Sequence, residues 1–339
     1  MELRKASPRY PTAEDAARLL ESVVQSGVRP FQNSCVTSPI GRRAGSVIFR
    51  CTCQTFPIPL AVKFCWNSIS GEPDRTDAIR QFSSLERLAN AASEQPLVRA
   101  PRPIMLLEEH ACLIMEWIDG IPMADALTRP FASKEKLGAL ASKAGIWLSS
   151  FHNMSPGQDR PVATELLLAR LKAALESTHV VAGNRQFESG LVVLERSARR
   201  VAEIAIPAAW RHGDIKPQNF IIADDSLVAI DLSTQDDDAV TSDIAKFISD
   251  VEFLSWHPRG WNLGRHRNYV INCFTSGYMA SRSFQLEPSL AWTRLYLLLS
   301  FWRQFEVKAS ASPSDWYQRW RFRSATNRAI SELRSGIEE

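Results

Sequence analysis

The sequence predicts an α+β chain in two unlike parts: a small antiparallel sheet of five strands with one inserted helix, then a larger, mostly helical part. Three observations predict it. Over residues 31–66 apolar and polar residues alternate with the period of strands, between Gly and Pro, and PIMLLEE and ACLIMEW over 103–117 read as two more strands. From Lys134 onward the apolar residues mostly recur at helical spacing. The length, 339 residues, leaves room for two cores of ~150 residues each.

Composition narrows the class. Apolar residues make up 45% and charged residues 23%, as in a folded soluble protein, which excludes disorder as the main state. A net charge of +3 does not argue for nucleic acid, and the basic runs ERSARRVAE and RWRFRSATNR read as solvated helix faces. Cys51 and Cys53 would share one side of a strand. No CxxC pair stands at zinc spacing with His, so reduced thiols in a cytoplasmic protein are the simplest reading of the six cysteines. The opening MELRKASPRYP lacks the apolar run of a signal peptide. The apolar stretch LYLLLSFW is eight residues long, against about 20 for a membrane span, and reads as a buried helix.

The elements follow in order. A first helix is capped by Thr12, with Asp15 three residues on and Gly27 past its end; Ala16, Leu19, Leu20, Val23 and Val24 form its stripe. FQNSCVTS, SVIFRCTC and LAVKFCW read as strands, with PIGRRAGS a turn between the first two. TDAIRQFSSLERLANAAS reads as a helix capped by Thr76, with Ile79, Phe82, Leu85, Leu88 and Ala89 on its apolar side. PIMLLEE and ACLIMEW complete the sheet, and the parts divide as 1–118 and 119–339. Helices follow at KEKLGALASKAGIWLSSFHNM, VATELLLARLKAALES and GLVVLERSARRVAEI. The strands FIIAD and LVAI turn at Asp225-Ser226, and from Ser242 the chain reads as helical to its end.

One stretch carries chemistry. WRHGDIKPQNFII places His212, Asp214, Lys216 and Asn219 in a single loop, and the following hairpin ends in Asp231. Phosphoryl transfer needs those residue types: a carboxylate for the hydroxyl proton, a cation for the phosphates, and hard oxygens for Mg²⁺. Asp214 is placed to be the carboxylate; Asn219 and Asp231 supply the oxygens.

HGDIKPQN resembles the catalytic loop of the protein-kinase-like superfamily, and its HGD is similar to that of the aminoglycoside phosphotransferase branch. VAIDLS resembles the strand ending in the metal-binding Asp, LAVKF the strand bearing the nucleotide lysine, LIMEWIDG the hinge, and SSFHNM the end of the long helix before the loop. The matches span about residues 31–247; the last ~90 residues carry no such motif. The resemblance implies a bilobal kinase-like fold using ATP and Mg²⁺. It implies Asp214 as catalytic base, Lys216 steadying the transferring phosphate, and Asn219 and Asp231 as metal ligands. Lys63 would contact the α- and β-phosphates, and the backbone of Glu116 and Ile118 would bond adenine. His212 would be structural, and Asp243, twelve residues after Asp231, would open the next helix and prop the loop.

Departures from the pattern are equally specific. Ser233 stands where kinases carry Gly after the metal Asp. SPIGRRAGS has only Gly41 and Gly45 of a glycine-rich loop, so backbone approach to phosphate would rest on residues 38–44, including Ser38 and Gly41. The helix acid that pairs with the lysine is missing from its place. Position favours Gln81 as the partner of Lys63; chemistry favours Glu86. The triplet Asp236-Asp237-Asp238 reads as a solvated turn, with a cationic-substrate site or extra metal ligands as alternatives. Trp256 and Trp261 read as packing residues, with sugar stacking the alternative.

Only 11 residues separate Asp231 from Asp243, with no peptide-docking anchor after them, which disfavours a protein kinase. A pseudokinase scaffold normally lacks one of Lys63, Asp214, Asn219 or Asp231, and all are present. The expectation is therefore a kinase acting on a small-molecule, saccharide or lipid-linked hydroxyl, with no nucleic-acid partner and no membrane span.

Overall fold

The computed structural model describes residues 11–25, 35–43, 45–52, 57–67, 70–91, 95–177, 184–232, 235–309 and 312–338. Gly27, Cys53, Ser233 and residues 31–34 of the first expected strand lie outside these. The chain divides into two units, Met1–Gly120 with Ile221–Thr234, and Ile121–Phe220 with Gln235–Glu339. The hairpin that ends in Asp231 thus groups with the first unit, a return that a single cut at residue 118 does not capture.

The first unit holds α1 (Ala13–Gln25), β1 (Cys35–Arg43), β2 (Ser46–Thr52), β3 (Leu60–Cys65), α2 (Arg75–Ala91), β4 (Pro103–Leu107) and β5 (Cys112–Glu116). The strands form the expected five-stranded sheet in the order β1-β2-β3-β5-β4, every neighbour antiparallel. At the start of α1, Thr12 Oγ1 accepts from the Asp15 N–H at 3.2 Å and the Thr12 N–H donates to Asp15 Oδ2 at 2.8 Å. This is a capping box with Asp in the usual Glu place. The hydrogen bonds from Thr12 hold the Asp15 carboxyl below its ordinary value.

Ala16, Leu19 and Leu20 of α1 cover one face of the sheet, against Val47, Phe49, Cys51, Leu60, Val62, Phe64, Cys112 and Ile114. The pleat sends Ala61, Lys63 and Cys65 to the opposite face, where α2 packs on β3, β4 and β5. All six residues of β3 are therefore buried, Lys63 among them.

Two local expectations change. PIGRRAGS is no open turn: β1 runs on to Arg43, which pairs with Ser46, and Pro39 and Gly41 sit at register shifts within the strand. An edge strand tolerates both, since Pro costs no ladder bond on its open side and bulges absorb the extra residue. α2 begins at Arg75, and its cap is Asp74, not Thr76: Asp74 Oδ1 accepts from the Asp77 N–H at 2.9 Å. Its buried face is Ala78, Gln81, Ser84, Leu85 and Leu88. Ile79 and Phe82 are half-buried and Ala89 is exposed.

The second unit begins with β6 (Ile121–Pro122), α3 (Met123–Leu127), α4 (Lys134–Asn153), β7 (Arg160–Pro161), α5 (Thr164–Glu176), α6 (Arg185–Ala202), β8 (Ala205–Ile206) and β9 (Ala208–Arg211). The chain then makes β10 (Phe220–Ala223) and β11 (Ser226–Ala229), turning at Asp224 and Asp225 rather than at Asp225-Ser226. The second unit resumes with β12 (Gln235–Ala239), α7 (Thr241–Ser255), α8 (Trp261–Met279), α9 (Ser289–Lys308) and α10 (Pro313–Glu338). The acidic triplet thus lies in a strand, antiparallel to β9, and not in a turn. LYLLLSFW lies within α9, with Leu295, Leu298, Leu299 and Trp302 buried. Among the described residues no helix is long and apolar enough to cross a membrane.

The α4–α8 crossing depends on glycine. A Cβ on Gly145 would stand 2.1 Å from the Phe274 carbonyl oxygen, and one on Gly277 would stand 2.5 Å from the Ser142 carbonyl oxygen. Neither backbone atom can yield as a side chain does. Near the end of α10, a Cβ on Gly336 would meet Pro288 at an ordinary 3.5 Å. Gly145→Ala should lower stability by about 1–3 kcal/mol through overpacking. Gly336→Ala should raise it by about 0.5–1 kcal/mol through helix propensity. Opposite shifts of the urea midpoint in the two variants are the expected result.

Candidate active site

The polar loop is aimed by alternation. Ile215 and Pro217 are buried under it, while Asp214 and Lys216 face outward and are partly exposed. A single 3₁₀ turn, Pro217–Asn219, closes the loop, with Pro in the first position, where its missing N–H costs nothing. Asn219 is fully buried, and its Nδ2 donates to the Asp214 carbonyl at 2.8 Å and to Asp214 Oδ2 at 3.1 Å. The amide therefore has its orientation fixed, with Oδ1 as the hard donor it can offer a divalent cation.

Asp243, two residues into α7, anchors the loop from below. Its Oδ2 accepts from the His212 N–H at 2.7 Å and its Oδ1 from the Gly213 N–H at 3.1 Å. Presenting two successive N–H groups to one carboxylate requires a sharp bend, and Gly213 takes φ 83°, a left-handed value that favours glycine. That is the physical reason for Gly between His and Asp. His212 does its structural work through this backbone bond, while its buried ring packs edge-on to Trp147.

The same carboxylate meets His152 at the end of α4, Nε2 lying 3.2 Å from Asp243 Oδ2. His152 Nδ1 lies 2.9 Å from the Tyr278 hydroxyl. Burial pushes the Tyr278 hydroxyl up, so it stays protonated and donates to Nδ1. Burial also pushes His152 down, against the pull of Asp243, so the ring is neutral and its Nε2–H donates to the carboxylate. For Asp243, burial acts upward, but the His152 hydrogen bond and the His212 N–H outweigh it and hold the carboxyl below its ordinary value.

Asp214 is shared. Lys216 forms an ion pair with its Oδ2, and Lys246 of α7 stands 3.7 Å from its Oδ1. Lys246 also pairs with Asp250 one turn on and lies 5.1 Å above the Phe301 ring centre. Burial pushes the Asp250 carboxyl up despite Lys246. Lys246 and Asp250 went unnoticed in the sequence, although Asp243, Lys246 and Asp250 fall on one stripe of a helix that follows a loop already singled out.

In the first unit Lys63, 2% exposed, forms an ion pair with Asp231. Asp231 adopts φ 63°, uncommon for a residue other than Gly, Asn or Asp, at the end of the hairpin that returns to this unit. Lys63 Nζ also donates to Gln81 Oε1 at 2.7 Å. Glu86 is exposed and on another face of α2, so position decides against chemistry: Gln81 is the partner. Behind Gln81 stands Asp77, whose Oδ2 accepts from Gln81 Nε2 at 2.7 Å.

Glu116 ends β5, and its N–H donates to the Arg102 carbonyl at 2.9 Å. Ile118 follows in the hinge stretch, beside Trp117, whose Nε1 donates to Asp119 at 2.9 Å. Ser38 and Gly41 lie in β1. Asp238 forms an ion pair with Arg211 at 3.3 Å. Trp256 packs on Phe253 and Trp320, while Trp261 is 48% exposed. Among the described residues no three His, Cys, Asp or Glu side chains gather to hold a metal. Mg²⁺ does not require such a cage, since it keeps waters and substrate phosphates and takes one or two hard protein oxygens. The donors Asn219 and Asp231 have that chemistry. Cys51, Cys65, Cys112 and Cys273 form no disulfide.

The model of the phosphotransferase enzyme family (APH) matches residues 71–274. This chain belongs to that family. The phosphotransferase fold extends over nearly the whole chain. The aminoglycoside phosphotransferase APH(4)-Ia superposes with a TM-score of 0.61 at 10% identity, over 92% of this chain and 98% of that one. A choline/ethanolamine kinase family protein from Mesorhizobium loti gives 0.58 at 13% identity, over 95% and 99%. Amicoumacin kinase in complex with AMP-PNP, Ca²⁺ and Ami gives 0.57 at 14% identity, over 93% and 96%. No curated protein matches the chain. The bilobal α+β reading and the family resemblance both hold, and the protein is a phosphotransferase of this family.

The neutral His152 has a consequence for stability. Its folded pKa lies below the ordinary 6.5, so as pH falls through 6.5 the unfolded chain binds the proton first. Its contribution is present above that value and lost below it. The depressed Asp243 acts in the same sense at lower pH, contributing above 3.8 and losing that contribution as pH falls through its folded value. The urea midpoint should fall between pH 7.5 and 5.5, and His152→Gln should flatten that fall. An unchanged slope in the variant would remove the assignment.

Proposed function

We propose that this phosphotransferase moves the γ-phosphoryl group of ATP, with Mg²⁺, to a hydroxyl of a small-molecule, saccharide or lipid-linked acceptor. The observation that carries the reading is the loop itself. Asp214 is partly exposed, oriented by Asn219, and shared with two ammonium groups, while its neighbours are fixed by a buried carboxylate. Phosphoryl transfer asks little covalent chemistry of a protein and much positioning and charge.

In this reading Asp214 orients the acceptor hydroxyl and takes its proton as the new O–P bond forms. The bond from the γ-phosphorus to the bridging oxygen breaks, and ADP leaves with the electron pair. Lys216 exchanges Asp214 for the transferring phosphoryl. Lys63 holds the α- and β-phosphates, the carbonyl of Glu116 and the N–H of Ile118 meet the adenine edge, and the β1 backbone around Ser38 and Gly41 lies along the phosphates. Asn219 and Asp231 would hold the metal, which when bound neutralises phosphate charge.

Asp214→Asn should cut turnover by at least about 10³-fold while ATP still raises the melting temperature. The activity assay is a metabolite extract incubated with ATP and Mg²⁺ and scanned for mass gains of one phosphate. Products formed equally by parent and variant would sink the base assignment. Asp231→Ala should abolish the Mg²⁺-dependent part of the ATP thermal shift, and its survival would refute the metal assignment.

A further inference from the structure

We propose that Asp77 is a positioning residue for the nucleotide lysine: its carboxylate, one helical turn before Gln81, acts on Lys63 through the Gln81 amide. The proposal rests on the phosphotransferase reading of Lys63 given above. The path is continuous. Lys63 Nζ donates to Gln81 Oε1 at 2.7 Å, and Gln81 Nε2 donates to Asp77 Oδ2 at 2.7 Å. Lys63 and Gln81 are buried, at 2% and 7% exposure.

Chemistry explains why the second link matters. A side-chain amide has a donor end and an acceptor end of nearly the same shape. Only its oxygen can serve an ammonium; turned over, the NH₂ would face Lys63 and leave a buried positive charge without that acceptor. Nothing in Gln81 itself chooses between the two orientations. Asp77 chooses, because a carboxylate accepts only from the NH₂ end. Residues four apart on a helix lie on one face, so Asp77 can reach Gln81 without distorting α2. The carboxylate also supplies negative charge to a buried site whose other acid, Asp231, is the one assigned to the metal. Its surroundings are otherwise modest. Arg80 lies 3.8 Å from Asp77 Oδ1 on the solvent side, and the Cys65 thiol, pushed up to about 12 chiefly by burial, faces it as a neutral group.

The competing role is ordinary. Asp77 lies in the first turn of α2, where any acid gains from the helix dipole. A variant series separates the two. Asp77→Asn keeps the shape and removes the charge; Asp77→Asn with Gln81→Glu puts a carboxylate directly at the position 2.7 Å from Lys63. Affinity is read as the melting-temperature shift on titrating ATP with Mg²⁺, and helix stability as the melting temperature without nucleotide. Asp77→Asn should weaken ATP binding about tenfold, the size of one lost charge-assisted contact. The double variant should recover to within about threefold of the parent while its melting temperature without nucleotide stays lowered. A helix-dipole role alone predicts no such recovery. Parental affinity in Asp77→Asn, or no recovery in the double variant, overturns the proposal. Should Asp77→Asn fail to fold, Gln81→Met breaks the relay and leaves Asp77 in its turn; parental ATP affinity there overturns it equally. If the parent shows no ATP-dependent shift, the nucleotide reading and this inference fall together. If the parent shifts and Asp77→Asn shifts equally, only this inference falls.

Discussion

One buried ammonium organises the first unit. Lys63 sits in a strand whose six positions are all buried, between a helix-covered apolar face and α2. An unpaired charge there would cost several kcal/mol after relaxation. The surrounding structure answers with polar groups drawn from two distant stretches of chain, Gln81 from α2 and Asp231 from the returning hairpin. The inner face of α2 is consequently polar at Gln81 and Ser84, where a helix packed only for burial would carry Leu or Ile. The left-handed backbone of Asp231, a conformation Asp adopts more readily than most residues, is part of the same answer.

The second unit solves a different problem, holding a polar loop still without using the groups the chemistry needs. Asp243 does so from within: 2% exposed, it spends both oxygens on the backbone of His212 and Gly213 and on His152. Asp214, on the outer side of the same loop, keeps its carboxylate among the ammonium groups of Lys216 and Lys246 and the Asn219 amide. Burial and partner type separate the two acids, one held by two backbone donors and a buried imidazole, the other by side chains alone. Chemistry and support are thus assigned to different residues of identical type.

Much of this was legible in the sequence, and the exceptions have physical causes. Period-two alternation located the sheet because one face is covered by apolar α1 residues. The same logic misjudged α2, because its inner face answers Lys63, and the apolar pattern of Ile79, Phe82 and Ala89 points away from the buried stripe. Pro39 and Gly41 suggested a turn, yet an edge strand with bulges accommodates both. Asp236–Asp238 disfavour a strand by propensity, but pairing with β9 and the Arg211 contact override it. The choice between Gln81 and Glu86 could not be made from spacing, since it depends on which face of α2 meets β3. Asp77 was invisible because an acid in the first turn of a helix is unremarkable in a sequence; only the amide between it and Lys63 gives it meaning. The close α4–α8 approach at Gly145 and Gly277 left no signal either, since a helical glycine does not announce what it faces.

The two ion pairs share a logic that bears on the proposed reaction. Lys63 with Asp231, and Lys216 with Asp214, each join an ammonium assigned to phosphate with a carboxylate assigned to metal or proton. A magnesium nucleotide carries the complement of such a pair: anionic oxygens for the lysine and a cation for the aspartate. In the proposed reading, binding would exchange partners instead of stripping a buried charge bare, so that Lys63 would keep a counter-charge throughout. Desolvation, the dominant cost of opening a buried ion pair, is largely avoided when the replacement arrives with both signs. Gln81 does not take part in the exchange, because a neutral amide oxygen has no cation to follow. On that proposal it would keep its hold on Lys63 while the acidic partner changes, which is where a neutral relay backed by a carboxylate differs from a direct acid: it would orient the lysine without competing with phosphate for its charge.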